Sequence, residues 1–252
     1  MNAREGTRGL VTALRTLSVL PVPGRDASSF STALYWFPLA GLFLGSLQAL
    51  CAFAVALSGW SELAGFAAVF SGILLTRALH ADGLADLADG FFGGKNREST
   101  LRIMKDPSVG SFGALSLVLV MLLKWIAAER LVGLQAYGSL VSGVMLARWV
   151  QVLLASTMPY ARRKGGTAHS FVEGAGKRHL AISSISAAFL LFLLLRADMQ
   201  QVLLLLAISG GVAAILGVLS FRKLTGVTGD VLGAVSELAE TTVWVGCVLF
   251  FQ

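Results

Sequence analysis

The chain has 252 residues, 56% of them hydrophobic and 13% charged, with a mean hydropathy of +0.76. A water-soluble domain carries about 25% charged residues, so a fully solvated surface is excluded. The formal charge of +6 and the pI of about 9.7 point to basic loops lying on anionic lipid, and nucleic acid is not an expected partner.

The apolar residues come in long unbroken runs such as Leu115–Leu123 and Val202–Ile208. A membrane-spanning backbone must satisfy its own hydrogen bonds, which leaves helices or a closed barrel. Barrel strands alternate apolar and polar residues and these runs do not, so the expected fold is all-α, a polytopic transmembrane helical bundle forming one catalytic domain over 1–252. Residues 1–33 form an interfacial N-terminal segment. Within it Leu10, Val11, Leu14 and Leu17 share one helical face and Arg8, Thr12 and Arg15 the other, the pattern of an amphipathic helix on a membrane surface, stopped by Pro21, Pro23 and Gly24.

Seven spans follow, at roughly 34–58, 61–79, 109–128, 133–158, 180–196, 200–220 and 233–251. Lys and Arg in the successive non-spanning segments number 4, 0, 4, 1, 5, 1 and 2. This alternation places the N-terminus and the loops at 80–108, 159–179 and 222–232 in the cytoplasm, in a cytoplasmic (inner) membrane. Cys51 and Cys247 sit far apart in apolar runs and read as small buried hydrophobes rather than disulfide or zinc partners.

Three polar stretches carry the chemistry. In His80-Ala-Asp82-Gly83-Leu-Ala-Asp86-Leu-Ala-Asp89, a helical turn of about 100° per residue puts Asp86 and Asp89 at about +40° and −20° from Asp82. Three carboxylates on one stripe repel one another, and each would cost about 2.5–3.5 kcal/mol at the bilayer centre. A hard cation between them relieves both penalties, and all-oxygen ligands favour Mg²⁺, Ca²⁺ or Mn²⁺. The second stretch, Lys105-Asp106-Pro107-Ser108, reads equally as a helix start opening the third span. In the third, Asp230 and Glu237 share a stripe in Thr228-Gly-Asp230-Val-Leu-Gly233-Ala-Val-Ser-Glu237, and intramembrane carboxylates mark sites. Convergence of Asp230 and Glu237 on the Asp82 stripe is expected, through a shared metal ion. Arg102, Lys105, Arg162 and Arg163 lie on the same predicted face and suit phosphate oxygens. Carboxylates beside cations on one membrane face indicate phosphoryl or pyrophosphate chemistry.

These motifs, with Leu20-Pro-Val-Pro23, Phe37-Pro-Leu-Ala-Gly-Leu-Phe-Leu-Gly45, Met104-Lys-Asp-Pro-Ser-Val-Gly-Ser-Phe-Gly113 and Tyr160-Ala-Arg162, occur in an order that resembles the cobalamin synthase (adenosylcobinamide-GDP ribazoletransferase) family over nearly the whole chain. Pro107 departs from the family's frequent Ser. The resemblance implies a Mg²⁺-dependent membrane enzyme joining α-ribazole, or its 5′-phosphate, to adenosylcobinamide-GDP with release of GMP. It further implies metal binding by Asp82, Asp86, Asp89, Asp106, Asp230 and Glu237, with Asp89 or Asp230 accepting the proton of the attacking 5′-hydroxyl. His80, Arg102, Lys105, Tyr160, Arg162 and Arg163 would contact substrate. A CDP-alcohol phosphotransferase or prenyltransferase is the rival enzyme and a transporter the rival non-enzyme. A homo-oligomer is left open.

Overall fold

The computed structural model describes residues 3–162, 165–166, 168–196 and 198–250. Among these, eleven α-helices and one 3₁₀ helix account for the regular structure, and the one β-type pairing is the Tyr160–Val227 bridge. The amphipathic segment folds as α1 (Ala3–Leu17). Its polar face is not left to water. Thr12 is buried and bonds both Asp26 and the Ala27 N–H, while Arg15 donates to the carbonyls of Val22 and Gly24 and pairs with Asp26. The chain after α1 therefore folds back over the face expected to be free, and α1 becomes part of the folded body.

A 3₁₀ segment, Phe30–Trp36, leads into α2 (Phe37–Ala56). After α3 (Ser61–Thr76) and α4 (Leu79–Gly93) come the short α5 (Arg97–Ile103) and two long helices, α6 (Ser111–Gly133) and α7 (Tyr137–Thr157). The chain closes with α8 (His169–Glu173), α9 (Lys177–Leu194), α10 (Met199–Leu224) and α11 (Gly229–Phe250). Six stretches are long and apolar enough to cross a membrane: Phe30–Ala56 and the helices α6, α7, α9, α10 and α11. The α3–α4 pair makes a seventh only as a broken span. The seven expected spans are thus all helical, but the second ends earlier than the apolar run suggests. Arg77 and Ala78 both adopt left-handed backbone (φ 52° and 55°), and α4 leaves at 89° to α3. Left-handed backbone at a non-glycine residue costs about 1–2 kcal/mol, so surrounding contacts hold this turn. One is the bond from the Val19 N–H to the Leu75 carbonyl at 2.8 Å.

Helix α7 is the buried centre, packed on α2, α11, α9 and α10. Small residues let the backbones approach. A Cβ at Gly41 would lie 2.9 Å from Met145 Cα, and one at Gly45 would lie 3.1 Å from Val141 Cα. The outer faces carry exposed Leu115, Val118, Leu122 and Ile126 on α6, and Ile185 and Phe189 on α9, as lipid-facing surfaces do. Cys51 belongs to this outer surface and is exposed, against expectation, whereas Cys247 is buried. Helices α6 and α11 begin, and α7 and α10 end, around α4, so the loops 80–108, 159–179 and 222–232 gather at one end of the bundle.

Candidate active site

Helix α4 packs most heavily on α11 and then on α6. The contact with α11 is nearly backbone on backbone, because Gly83 and Gly233 face each other: a Cβ at Gly83 would meet the Asp230 carbonyl oxygen at 2.9 Å. This approach brings the Asp82 stripe to the first turn of α11. Asp86 is half-buried and feels the charges of Asp230, Asp82, Arg162 and Asp89, while Asp82 at the rim is exposed. Asp230 is held by the Arg162 guanidinium at 2.8 Å and by the Thr228 hydroxyl at 3.2 Å.

The arginine is itself placed by a stitched loop. Its Nη2 also donates to the Met104 carbonyl at 3.3 Å. Tyr160, two residues earlier, pairs with Val227, and the Ala161 N–H donates to the Val227 carbonyl at 2.8 Å. Arg97, at the start of α5, donates to the carbonyls of Ala161 and Leu224 and so ties α5, the post-α7 loop and the end of α10 together. In the sequence Arg97 is one of a run of loop cations suited to phosphate, and a residue whose bonds run to carbonyls 64 and 127 positions away has no local signature. The Tyr160 phenol is half-buried and stands edge-on to His169 at 5.2 Å between ring centroids. Burial is the main cause that raises its pKa.

Other expected site residues fall elsewhere. Asp89 is buried, with its oxygens accepting from the N–H groups of Gly110 (2.7 Å) and Gly113 (2.8 Å). It caps α6 from a neighbouring helix, satisfying donors that a helix start leaves open. Asp106 therefore does not open the third span. It sits exposed in a turn, accepting from the Ser108 N–H at 2.9 Å, which lowers its pKa. Arg102 and Lys105 are exposed near it, and Arg163 lies outside the described residues. His80 is buried, and its Nδ1 has no hydrogen-bond partner in the structure.

Glu237 meets a different cation from the one expected. Lys124 on α6 bonds Glu237 at 2.8 Å and Glu240 at 2.7 Å, and Arg148 on α7 lies 3.9 Å from Glu240. Two acids and two bases neutralise one another inside the bundle. The signal was present, since Lys124 and Arg148 are lone cations inside apolar runs and buried intramembrane cations need partners.

Magnesium fits this chemistry in part. Asp82, Asp86 and Asp230 offer hard oxygen donors facing one region, which suits a hard cation. Among the described residues, no three acidic, His or Cys side chains converge as a ready metal cluster, and Asp230 is turned to Arg162. Beside the carboxylates opens a cleft of about 110 Å³ that Asp82 and Asp230 share with Leu17, Leu34, Phe37 and Phe171.

Fold and site together define a polytopic helical membrane protein with a carboxylate-rich, arginine-braced cleft at one end of its bundle. Residues 9–248 match the family described as cobalamin-5-phosphate synthase. The chain is 58% identical to an adenosylcobinamide-GDP ribazoletransferase of Chlorobaculum parvum over 97% of this chain and 96% of that protein. It is 57% identical to one of Chlorobium phaeobacteroides (96% and 97%) and 38% identical to one of Syntrophobacter fumaroxidans (91% and 88%). No solved structure matches. The chain belongs to the cobalamin synthase family, transferases of cobalamin biosynthesis.

Proposed function

We propose that this protein transfers the corrinoid phosphate of adenosylcobinamide-GDP to a ribose hydroxyl of α-ribazole, or of α-ribazole 5′-phosphate, releasing GMP. The observation that carries this reading is the 2.8 Å pair of Arg162 with Asp230 on α11, packed against the helix that carries Asp82 and Asp86, in a chain of this family. An acceptor already phosphorylated at its 5′ position has no free 5′-hydroxyl and yields a product that keeps that phosphate, so the attacking oxygen is a secondary ribose hydroxyl and not the 5′-hydroxyl first expected.

The residues divide the work as follows. Asp82, Asp86 and Asp230 would hold Mg²⁺, which when bound supplies positive charge against the diphosphate oxygens. Arg162 is positioned to exchange its bond to Asp230 for a bond to the leaving phosphate, a charge-assisted contact well suited to a planar guanidinium. Release from Arg162 frees an oxygen of Asp230 to accept the proton of the attacking hydroxyl, and Asp230 serves better here than Asp89, whose oxygens already accept two N–H groups. The new bond joins the ribose oxygen to phosphorus, the bond from phosphorus to the bridging oxygen breaks, and GMP leaves with that oxygen.

This end of the bundle is proposed to face the cytoplasm. Its loops carry Arg97, Arg102, Lys105, Lys177, Arg178, Arg222 and Lys223, while Arg130 and Arg196 are the only cations in the described opposite loops, as the positive-inside bias requires. The test of the whole reading is GMP release from adenosylcobinamide-GDP by the protein in native membranes, with α-ribazole or its 5′-phosphate, over a Mg²⁺ titration. Turnover that requires both substrates and Mg²⁺ supports it, and absence of GMP release with either acceptor overturns it.

A further inference from the structure

We infer that the apolar cleft beside Asp82 and Asp230 is the acceptor subsite, taking the ribonucleoside base-first, and that Gln151 is a specificity-determining residue in it. This rests on the proposed transfer reaction and deepens it.

The cleft's composition selects its occupant. Leu17 from α1, Leu34 and Phe37 from the entry to α2, and Phe171 from α8 form its walls, and among the described residues no Lys or Arg lines it. Beyond the rim formed by Asp82 and Asp230, where Arg162 and a bound cation would act, the described walls offer a diphosphate no positive charge. A corrin ring with its amide side chains is larger than the drug-sized ligands that small-molecule clefts enclose. A flat aromatic ring matches apolar walls of this size.

Two buried polar atoms on this lining lack partners. Gln151 is 4% exposed and its Oε1 is unbonded, although its Nε2 donates to the Leu232 carbonyl at 3.2 Å. His80 is 2% exposed with Nδ1 unbonded. Buried polar atoms without partners are costly, and a ligand that supplies the missing bonds recovers that cost. A benzimidazole-type base joined to ribose through one nitrogen presents a single further ring nitrogen, an acceptor for an Nδ1–H of His80. A ribose hydroxyl can donate to Gln151 Oε1. The guanine of the donor suits the cleft less well, because its edges carry several donors and acceptors, whereas the described lining offers two buried atoms without partners. The acceptor so seated directs its ribose toward Asp82 and Asp230 at the same cleft. Leu17 on the wall also gives α1 a functional reason to be folded into the body.

The experiment is steady-state kinetics of the full chain in membranes, varying each substrate separately. Gln151→Leu is expected to raise the KM for α-ribazole about tenfold, with kcat and the KM for adenosylcobinamide-GDP within about twofold. Phe37→Ala is expected to shift acceptor preference toward bulkier bases. In the wild type, free 5,6-dimethylbenzimidazole should compete with the acceptor and not with the donor. A Gln151→Leu effect confined to the donor, or competition of the free base with the donor, overturns the assignment even if a variant fails to fold. Thermal stabilisation of the purified wild type by α-ribazole separates the two levels. Stabilisation without turnover keeps the subsite and rejects the reaction, and turnover with no stabilisation at saturating α-ribazole rejects the subsite.

Discussion

Lys124 on α6 holds Glu237 on α11 at 2.8 Å, with the two side chains 6% and 10% exposed. The same ammonium bonds Glu240 at 2.7 Å and lies 5.3 Å from the centroid of the Trp244 ring. Removing one member of a buried pair strands the other charge and typically costs about 3–5 kcal/mol. Lys124→Met strands two carboxylates facing Arg148 alone and is expected to lower the thermal stability of the purified protein more than Glu237→Gln does. The double variant should recover part of the loss. The Mg²⁺ dependence of Glu237→Gln should equal that of the wild type. A shifted Mg²⁺ requirement in that variant would return Glu237 to the metal set.

Asp82→Asn and Asp86→Asn are expected to remove most turnover while the protein still inserts and keeps its thermal stability. Neither side chain carries a structural bond comparable to that of Asp89, so their loss should be read in chemistry. Arg162→Ala should weaken turnover too, and with a different signature: a bond made to the leaving phosphate only as it departs lowers kcat more than it raises KM. Glu129→Gln, at the far end of α6, is the control. Near-normal rates for both aspartate variants across a Mg²⁺ titration would rule out their role as ligands.

Much of this was legible in the sequence, because membrane spans and a 3.6-residue period are local. The seven apolar runs are the seven helical stretches, and the Asp82 stripe does face α11. Other features depended on partners far away in the chain. Asp89 has the same spacing as its neighbours on the stripe, yet it is claimed by Gly110 and Gly113 of another helix. Asp106-Pro107 has the composition of a helix start, yet the helix begins at Ser111. The break at Arg77–Ala78 ends α3 about three residues before the expected span end, and no glycine or proline marks it. Glu237 follows Asp230 at helical spacing, but which cation it meets depended on Lys124, a residue 113 positions away.

Asp89 should therefore behave as a cap. Asn retains one acceptor oxygen and Ala none, and losing a cap of this kind costs about 0.5–2 kcal/mol. Asp89→Ala is expected to destabilise the protein by about that amount, with Asp89→Asn milder. Denaturation in detergent with a tracked α6 probe checks the order. Equal stability for Ala and Asn, with equal loss of activity at saturating Mg²⁺, would assign Asp89 to the metal instead.

Gly83→Ala tests whether the site depends on the close approach of α4 to α11. The added methyl would stand 2.9 Å from the Asp230 carbonyl oxygen and 3.0 Å from its Cα, both backbone atoms that cannot swing aside. The helices must separate, and the displacement falls on the backbone that carries Asp230 opposite Asp82 and Asp86. A misplacement of about 1 Å can cost on the order of 10²-fold in rate. Alanine is also a better helix former than glycine by about 1 kcal/mol, which offsets part of the steric loss. Activity should therefore fall much further than stability. Gly233→Ala meets His80 backbone atoms at 3.2 and 3.3 Å and should be milder. Gly211→Ala, on α10 with nothing within 4 Å, should leave turnover unchanged. Thermal unfolding and GMP release measured on all three variants distinguish the cases. Parallel losses of stability and activity in Gly83→Ala would mean that the contact serves only the fold, and a rate equal to that of Gly211→Ala would mean that the spacing of the two acidic helices does not govern the reaction.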